Sequence, residues 1–208
     1  MVTSNFIIRL DFSTGTFSAV GVGTSIGVNN IVRTIAINPT TGTVYFGGDF
    51  TATVGAGSVA VGHVAQCDIA GINLGYSDLG SGGGTNNGLN GNVYGLVIDN
   101  TNQILYAGGA FTATNTGTTM DKIARKPVSV AQAWVKFTAN VTNIVYTLAI
   151  APDNRVYLAT ELLSAANAWA GVATVPPYDA STGITATILG EGLGQSVGTG
   201  IVRAILIH

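Results

Sequence analysis

Residues 31–53, IVRTIAINPTTGTVYFGGDFTAT, return at 92–114 as NVYGLVIDNTNQILYAGGAFTAT. The offset is 61 positions without a gap. It sets Tyr45 on Tyr106, Gly47-Gly48 on Gly108-Gly109, and Phe50-Thr51-Ala52-Thr53 on Phe111-Thr112-Ala113-Thr114. Self-similarity at a fixed period marks a repeat architecture, in which each unit buries its apolar faces against its neighbours. A third copy starts at Ile144. There Val145, Tyr146, Leu148 and Ile150 fall on Val93, Tyr94, Leu96 and Ile98 at an offset of 52. One residue is then lost in the turn, and Tyr157 falls on Tyr106. In this copy Ala159-Thr160 replace Gly-Gly and Leu162 replaces Phe111. The last eight residues, IVRAILIH at 201–208, match IVRTIAIN at 31–38 and read as the first strand of a fourth unit.

Each unit reads as four short strands. In the first, residues 31–38 form a strand, Asn38-Pro-Thr-Thr-Gly42 a turn, and Thr43–Phe46 the start of the next strand; residues 58–68 and 72–79 are expected to be the third and fourth. The second unit runs from Asn92 to about Ala139, with later strands at Lys122–Val128 and Ala133–Phe137. In the third, ELLSAANAWA is expected to be an elaborated loop between strands 2 and 3, not a helix. Gly80–Gly91, GSGGGTNNGLNG, sits where one unit joins the next and reads as a surface loop. Before the first unit, Phe6–Asp11 and Thr16–Val22 flank a Ser-Thr-Gly turn and form a hairpin. The same phrase recurs as Asp179-Ala-Ser-Thr-Gly183, with Asp68 as a weaker copy of Asp11.

A radial array of four-stranded sheets is a β-propeller. The expected fold is therefore all-β, one propeller domain over 1–208 with about four blades: 31–80, 92–139, 144–190, and one closed by 5–23 with 201–208. The start supplies strands 3 and 4 of a unit and the end supplies strand 1. Pairing them removes exposed sheet edges. Strand 2 of that closing blade is absent, so either a four-bladed ring closes on three strands, which is the expectation, or the chain is a window of a larger ring.

Both faces of each first strand are mostly apolar, as in a sheet held between two others. Ile31, Arg33, Ile35 and Ile37 lie on one face, and Val32, Thr34 and Ala36 on the other. The Gly pairs mark close backbone approach. No Lys or helix start follows them, so they do not form a phosphate loop.

A hydrophobic-Tyr strand running into Gly-Gly, then a Tyr-Asp or Cys-Asp strand, then Ser-Thr-Gly, resembles the repeat of kelch-type propellers. Tyr45-Phe-Gly-Gly48, Tyr106-Ala-Gly-Gly109 and Tyr178-Asp-Ala-Ser-Thr-Gly183 carry the likeness. The Trp of that repeat is missing after Ser-Thr-Gly; Phe17 and Thr185 stand near its place, and Trp134 is its one counterpart. The Gly-Gly-x-Phe-Thr variant also resembles repeats in large bacterial and phage surface proteins. The resemblance implies a fold and leaves function open.

Composition narrows the functions. Charged residues are 9%, apolar residues 47%, and net charge is −2 with no basic stripe, so a nucleic-acid partner is not expected. No long apolar run spans a membrane, and no signal peptide is visible. Cys67 is alone and reads as a small buried hydrophobe. Asp11, Asp68 and Asp179 occupy one repeat position; places spread around a ring do not converge on one bond, so these read as turn caps and not as a catalytic pair. His63 and His208 are the only histidines and lack zinc spacing. No cofactor, metal or catalytic residue is expected.

One constellation stands out. Arg33, Tyr94, Tyr146 and Arg203 share the third place of the first strand, near the mouth of a propeller channel. Such a ring can hold an anion or a sugar; the plainer account has the Tyr rings filling gaps and the Arg residues paired to Asp or carbonyls. Trp169 and Trp134 are candidate glycan platforms. The leading expectation is a non-catalytic structural or binding module, extracellular or on a virus particle, docking protein neighbours in a larger assembly. The alternatives are a lectin-like cell-attachment module and, further off, a propeller glycosidase or lyase.

Overall fold

A computed structural model of the 208-residue chain describes residues 5–20, 27–55, 58–68, 76–79, 88–129, 132–137, 141–160, 172–175, 187–188 and 205. Among the described residues there is no helix. The strands are β1 (Ile8–Asp11), β2 (Thr16–Ala19), β3 (Val32–Asn38), β4 (Thr43–Gly48), β5 (Val64–Asp68), β6 (Tyr76–Ser77), β7 (Val93–Asp99), β8 (Ile104–Gly109), β9 (Ile123–Pro127), β10 (Val135–Lys136), β11 (Val145–Ile150), β12 (Val156–Thr160), β13 (Val172–Val175) and β14 (Thr187–Ile188). They make one hairpin, β1-β2, and three four-stranded antiparallel meanders, β3-β4-β5-β6, β7-β8-β9-β10 and β11-β12-β13-β14. The expected all-β class and the four-strand unit are therefore observed. The fourth-unit strand at 201–208 lies outside the described residues except for Ile205, as do the 161–170 loop, residues 80–87 of the glycine-rich connection and Asp179–Gly183.

The units stack through their first strands, β7 lying between β3 and β11. Two apolar layers fill the junctions. Ala36, Tyr45 and Leu79 of the first unit meet Leu96, Leu105 and Phe111 of the second. Ile104, Tyr106 and Phe137 of the second meet Leu148, Leu158 and Val175 of the third. The glycine pairs make this approach possible. A Cβ on Gly47 would stand 2.7 Å from Val93 Cγ1, and one on Gly108 2.5 Å from Val145 Cγ1. Gly48 and Gly109 are tighter still, 2.1 Å from the carbonyl oxygens of Ile31 and Asn92.

The repeated Phe-Thr-Ala-Thr is structural. Phe50 and Phe111 are fully buried. The Asn29 side chain accepts from the Thr51 and Ala52 amides at 2.9 and 3.2 Å and donates to Thr51 Oγ1 at 3.1 Å. Asn90 repeats all three bonds with Thr112 and Ala113. The last Thr closes the loop, Thr53 Oγ1 accepting from Val59 and Thr114 Oγ1 from Thr118.

This loop displaces one expected strand. Residues 58–63 do not open β5; Val59 and Val61 bond back to Thr53 and Thr51, and Gly62 and His63 take φ of 48° and 66°. Two left-handed residues in a row break an extended run. Of the expected fourth strand at 72–79, Tyr76–Ser77 form β6, 78–79 are not strand and 72–75 lie outside the described residues; β10 is Val135–Lys136, inside the expected Ala133–Phe137.

The inter-strand turns share a left-handed place, filled by Gly42 (φ 69°), Gln103 (φ 56°) and Asn154 (φ 64°). Asn38 and Asp99 cap the first two of these turns, each accepting two backbone N–H bonds. Asp11 caps its own turn through the Ser13 amide and hydroxyl, which hold its carboxyl below the usual range.

Candidate functional site

Each first strand carries a β-bulge at the same place. The pairing slips between Val32 and Thr34, between Val93 and Gly95, and between Val145 and Thr147. The residues skipped are Arg33, Tyr94 and Tyr146. A bulge leaves one residue out of the ladder and re-aims its side chain. This is what gathers the three at one end of the first strands.

They form a row. The Arg33 guanidinium carbon lies 5.3 Å from the Tyr94 ring centroid. Tyr94 and Tyr146 stack with centroids 5.5 Å apart and planes 9° apart. Arg33 also grips Asp49 with two parallel bonds, Nε to Oδ1 and Nη2 to Oδ2, both 2.6 Å. That bidentate bond raises the Arg33 pKa further above its ordinary value. The row is largely satisfied from within: one face of each ring is taken by its neighbour, and the cation is paired. Arg33 keeps a partly exposed side chain, and both tyrosines are intermediate in burial. Of the four residues read from the sequence, three are brought together. Arg203 lies outside the described residues.

Trp134 is not a sugar platform. Its side chain is 4% exposed because it fills the junction between the first and second units, in the layer with Leu79 and Leu105. Trp169 lies outside the described residues. Beside Trp134, Leu79, Thr114, Thr118 and Lys126 line a cavity of about 30 Å³, room for a water and not for a sugar ring. Lys126 is buried there, its Nζ donating to the Gln132 carbonyl; burial lowers its pKa. Cys67 is fully buried and its thiol is pushed up to about 11, so it is an inert packing group at neutral pH. Among the described residues, no three of His, Cys, Asp and Glu gather in a metal-sized group.

The feature that sequence reasoning missed is an open face. Ile35 pairs with Phe46 and Ile37 with Val44 across the β3–β4 ladder, so all four share the front of the first sheet. Its outer half is covered: Phe46 and Val44 pack with Val20, Val28 and Ile7 of the N-terminal segment, and the Tyr76 hydroxyl donates to the Val20 carbonyl at 2.7 Å. Its inner half is bare, with Ile35 51% and Ile37 54% exposed. On the hairpin, Ile8, Leu10 and Phe17 are exposed too.

No protein-family profile matches the chain, and no curated protein matches it. Among solved structures it is similar to a chain described as the extracellular domain of a one-component system from B. thetaiotaomicron, at 14% identity and a TM-score of 0.47. The likeness covers 83% of this chain but only 19% of that one.

Proposed function

We propose that this chain is a non-catalytic β-propeller module of the kelch-like kind, displayed outside the cell or on a virus particle, whose task is to dock protein neighbours. The observation that carries this reading is the bare inner half of the first sheet. Contiguous exposed apolar surface on a soluble protein marks an interaction site. Low charge, with Gly, Thr and Asn supplying the polar surface, suits a packed external assembly.

A lectin-like reading has one observation of its own, the Arg33–Tyr94–Tyr146 row. The two separate by experiment. The apolar dye anilinonaphthalene sulfonate is expected to bind the 208-residue chain and to lose most of that binding in Ile35→Asp/Ile37→Asp, while a glycan array stays blank. An array with strong signals abolished by Tyr94→Ala but kept by Ile35→Asp/Ile37→Asp overturns the docking reading in favour of a sugar.

A further inference from the structure

We infer that the cavity between the first and second units binds a small monovalent anion of chloride size, held by the Lys126 ammonium and the Trp134 indole N–H. The inference stands apart from the docking reading and concerns a different place in the array.

The argument starts from one register position in the three units. Leu105 pairs with Lys126, Val44 with Cys67 and Val156 with Val175. Cys67 and Val175 are fully buried, so the first and third units put an apolar residue at this place. The second unit puts a lysine there, and it is 4% exposed. A buried charge is costly unless it is paired. The ion pairs among the described residues are Arg33–Asp49, Lys136–Asp121 and Arg155–Asp153, and none of them includes Lys126. The Gln132 carbonyl takes one of the three ammonium donors. Burial lowers the Lys126 pKa and outweighs the opposing pull of Asp78.

The neighbouring aromatic shows the same contrast. Tyr76 pairs with Cys67 on the fourth strand of the first unit. One step beyond the Val135–Arg125 pair, the same register brings Trp134 to the place of Lys126. Both rings are buried. The Tyr76 hydroxyl finds the Val20 carbonyl at 2.7 Å. Trp134 Nε1 is buried and has no hydrogen-bond partner among the described residues. An orphaned buried N–H calls for a water or an ion.

Lys126 and Trp134 line one cavity of about 30 Å³. Leu79 of the first unit and Thr114 of the second are buried in its wall, and exposed Thr116 and Thr118 stand at its rim. The Thr114 hydroxyl accepts from the Thr118 amide at 3.0 Å and bonds to Thr116 Oγ1 at 2.9 Å, which fixes that rim. The described lining carries no carboxylate. Ammonium, indole N–H and hydroxyl are all donors, so the lining suits an anion and not a metal cation. The volume admits a halide, which takes little more room than a water, and excludes phosphate or a carboxylate-bearing ligand. A water would satisfy the indole but leave the ammonium without a counter-charge. The ion therefore completes the joint between the first two units.

The test is thermal melting of the 208-residue chain in sodium chloride and in sodium gluconate at equal ionic strength, with diffraction from crystals grown in sodium bromide. Chloride at about ten times its Kd is expected to raise the melting temperature by about 4 °C over gluconate. Lys126→Met is expected to fold, since its place is apolar in the other two units, and to melt alike in both salts. Trp134→Phe keeps the ring, removes the donor and is expected to weaken chloride binding about tenfold. An anomalous bromine peak is expected in the cavity beside Lys126. Equal melting of the wild-type chain in the two salts, which is the outcome for a water alone, overturns the inference. So does a Lys126→Met variant that keeps the full difference. The crystals need no variant, and a cavity without a bromine peak overturns it as well.

Discussion

The first and second units are near copies in sequence and differ in what lies in front of them. β3 and β7 share their length, their bulge and their pairing register. Yet Leu96 is 5% exposed and Ile35 51%. An apolar residue at a repeat position is thus core in one copy and surface in another, and the neighbour decides which. Local sequence specifies the sheet; burial belongs to the array.

The sharpest way to break this comparison is to place the same charge at both positions. Leu96→Asp is expected to destabilise by about 4 kcal/mol, an uncompensated carboxylate in a dry junction. Ile35→Asp is expected to cost under about 0.5 kcal/mol in the monomer. Equal losses in thermal melts would mean that the face of β3 is covered in solution.

The second test concerns what the two units share. Gly48→Ala and Gly109→Ala each drive a methyl into a backbone carbonyl within the unit itself, at 2.1 Å in both. Both are expected to lose about 3 kcal/mol in urea unfolding. A loss confined to Gly109 would show that the first unit tolerates distortion because one side of it is free.

A smaller difference lies where β4 and β8 end. The Gly48 amide bonds to the His63 carbonyl and the Gly109 amide to the Lys122 carbonyl, both carbonyls belonging to left-handed residues. Desolvation holds the His63 pKa below the ordinary imidazole value, against the weaker pull of its bond to the Gly48 carbonyl at 3.2 Å. The unfolded chain therefore takes up the proton first. Stability from this group is full above the ordinary imidazole pKa and is lost as pH falls below it, down to the folded value. His63→Asn, which keeps a left-handed-tolerant residue and a donor, is expected to flatten the fall in melting temperature between neutral and mildly acid pH. An unchanged slope would remove His63 from the account.

The smallest expected effect is at the shared turn. Asn154→Gly should stabilise by about 0.5 kcal/mol, since glycine adopts φ of 64° without penalty. Gln103→Gly should not follow it, because the Gln103 side chain accepts from Asn38 and donates to the Asn100 carbonyl.

Much of this fold was legible in the sequence because the repeat is spaced without gaps over its most regular part. Period and turn chemistry located β3, β4, β7, β8, β11 and β12. β9 fell within the stretch read for it, Lys122–Val128, but residues 58–63 were misjudged as strand, because the loop after Phe-Thr-Ala-Thr is held by Asn29 and Asn90, two residues before the stretch in which the repeat was read. Their offset of 61 was there to be seen. For the site, shared register brought Arg33, Tyr94 and Tyr146 together correctly. The bulge that aims them was not readable, since it lies in a pairing slip and not in any residue type. Trp134 was misplaced for a related reason: an indole within a repeat gives no sign of which side of the sheet it takes.

The fittings at each junction travel with the units on either side. Gly47 offers a socket to Val93 and Leu96, and Gly108 offers the same socket to Val145 and Leu148. A whole unit added to or removed from such an array meets a matching neighbour at both ends, whereas a length change of a few residues inside a unit does not. Arrays of this kind therefore gain and lose length in steps of one complete sheet, and the number of sheets is free to change while the joint between them stays the same.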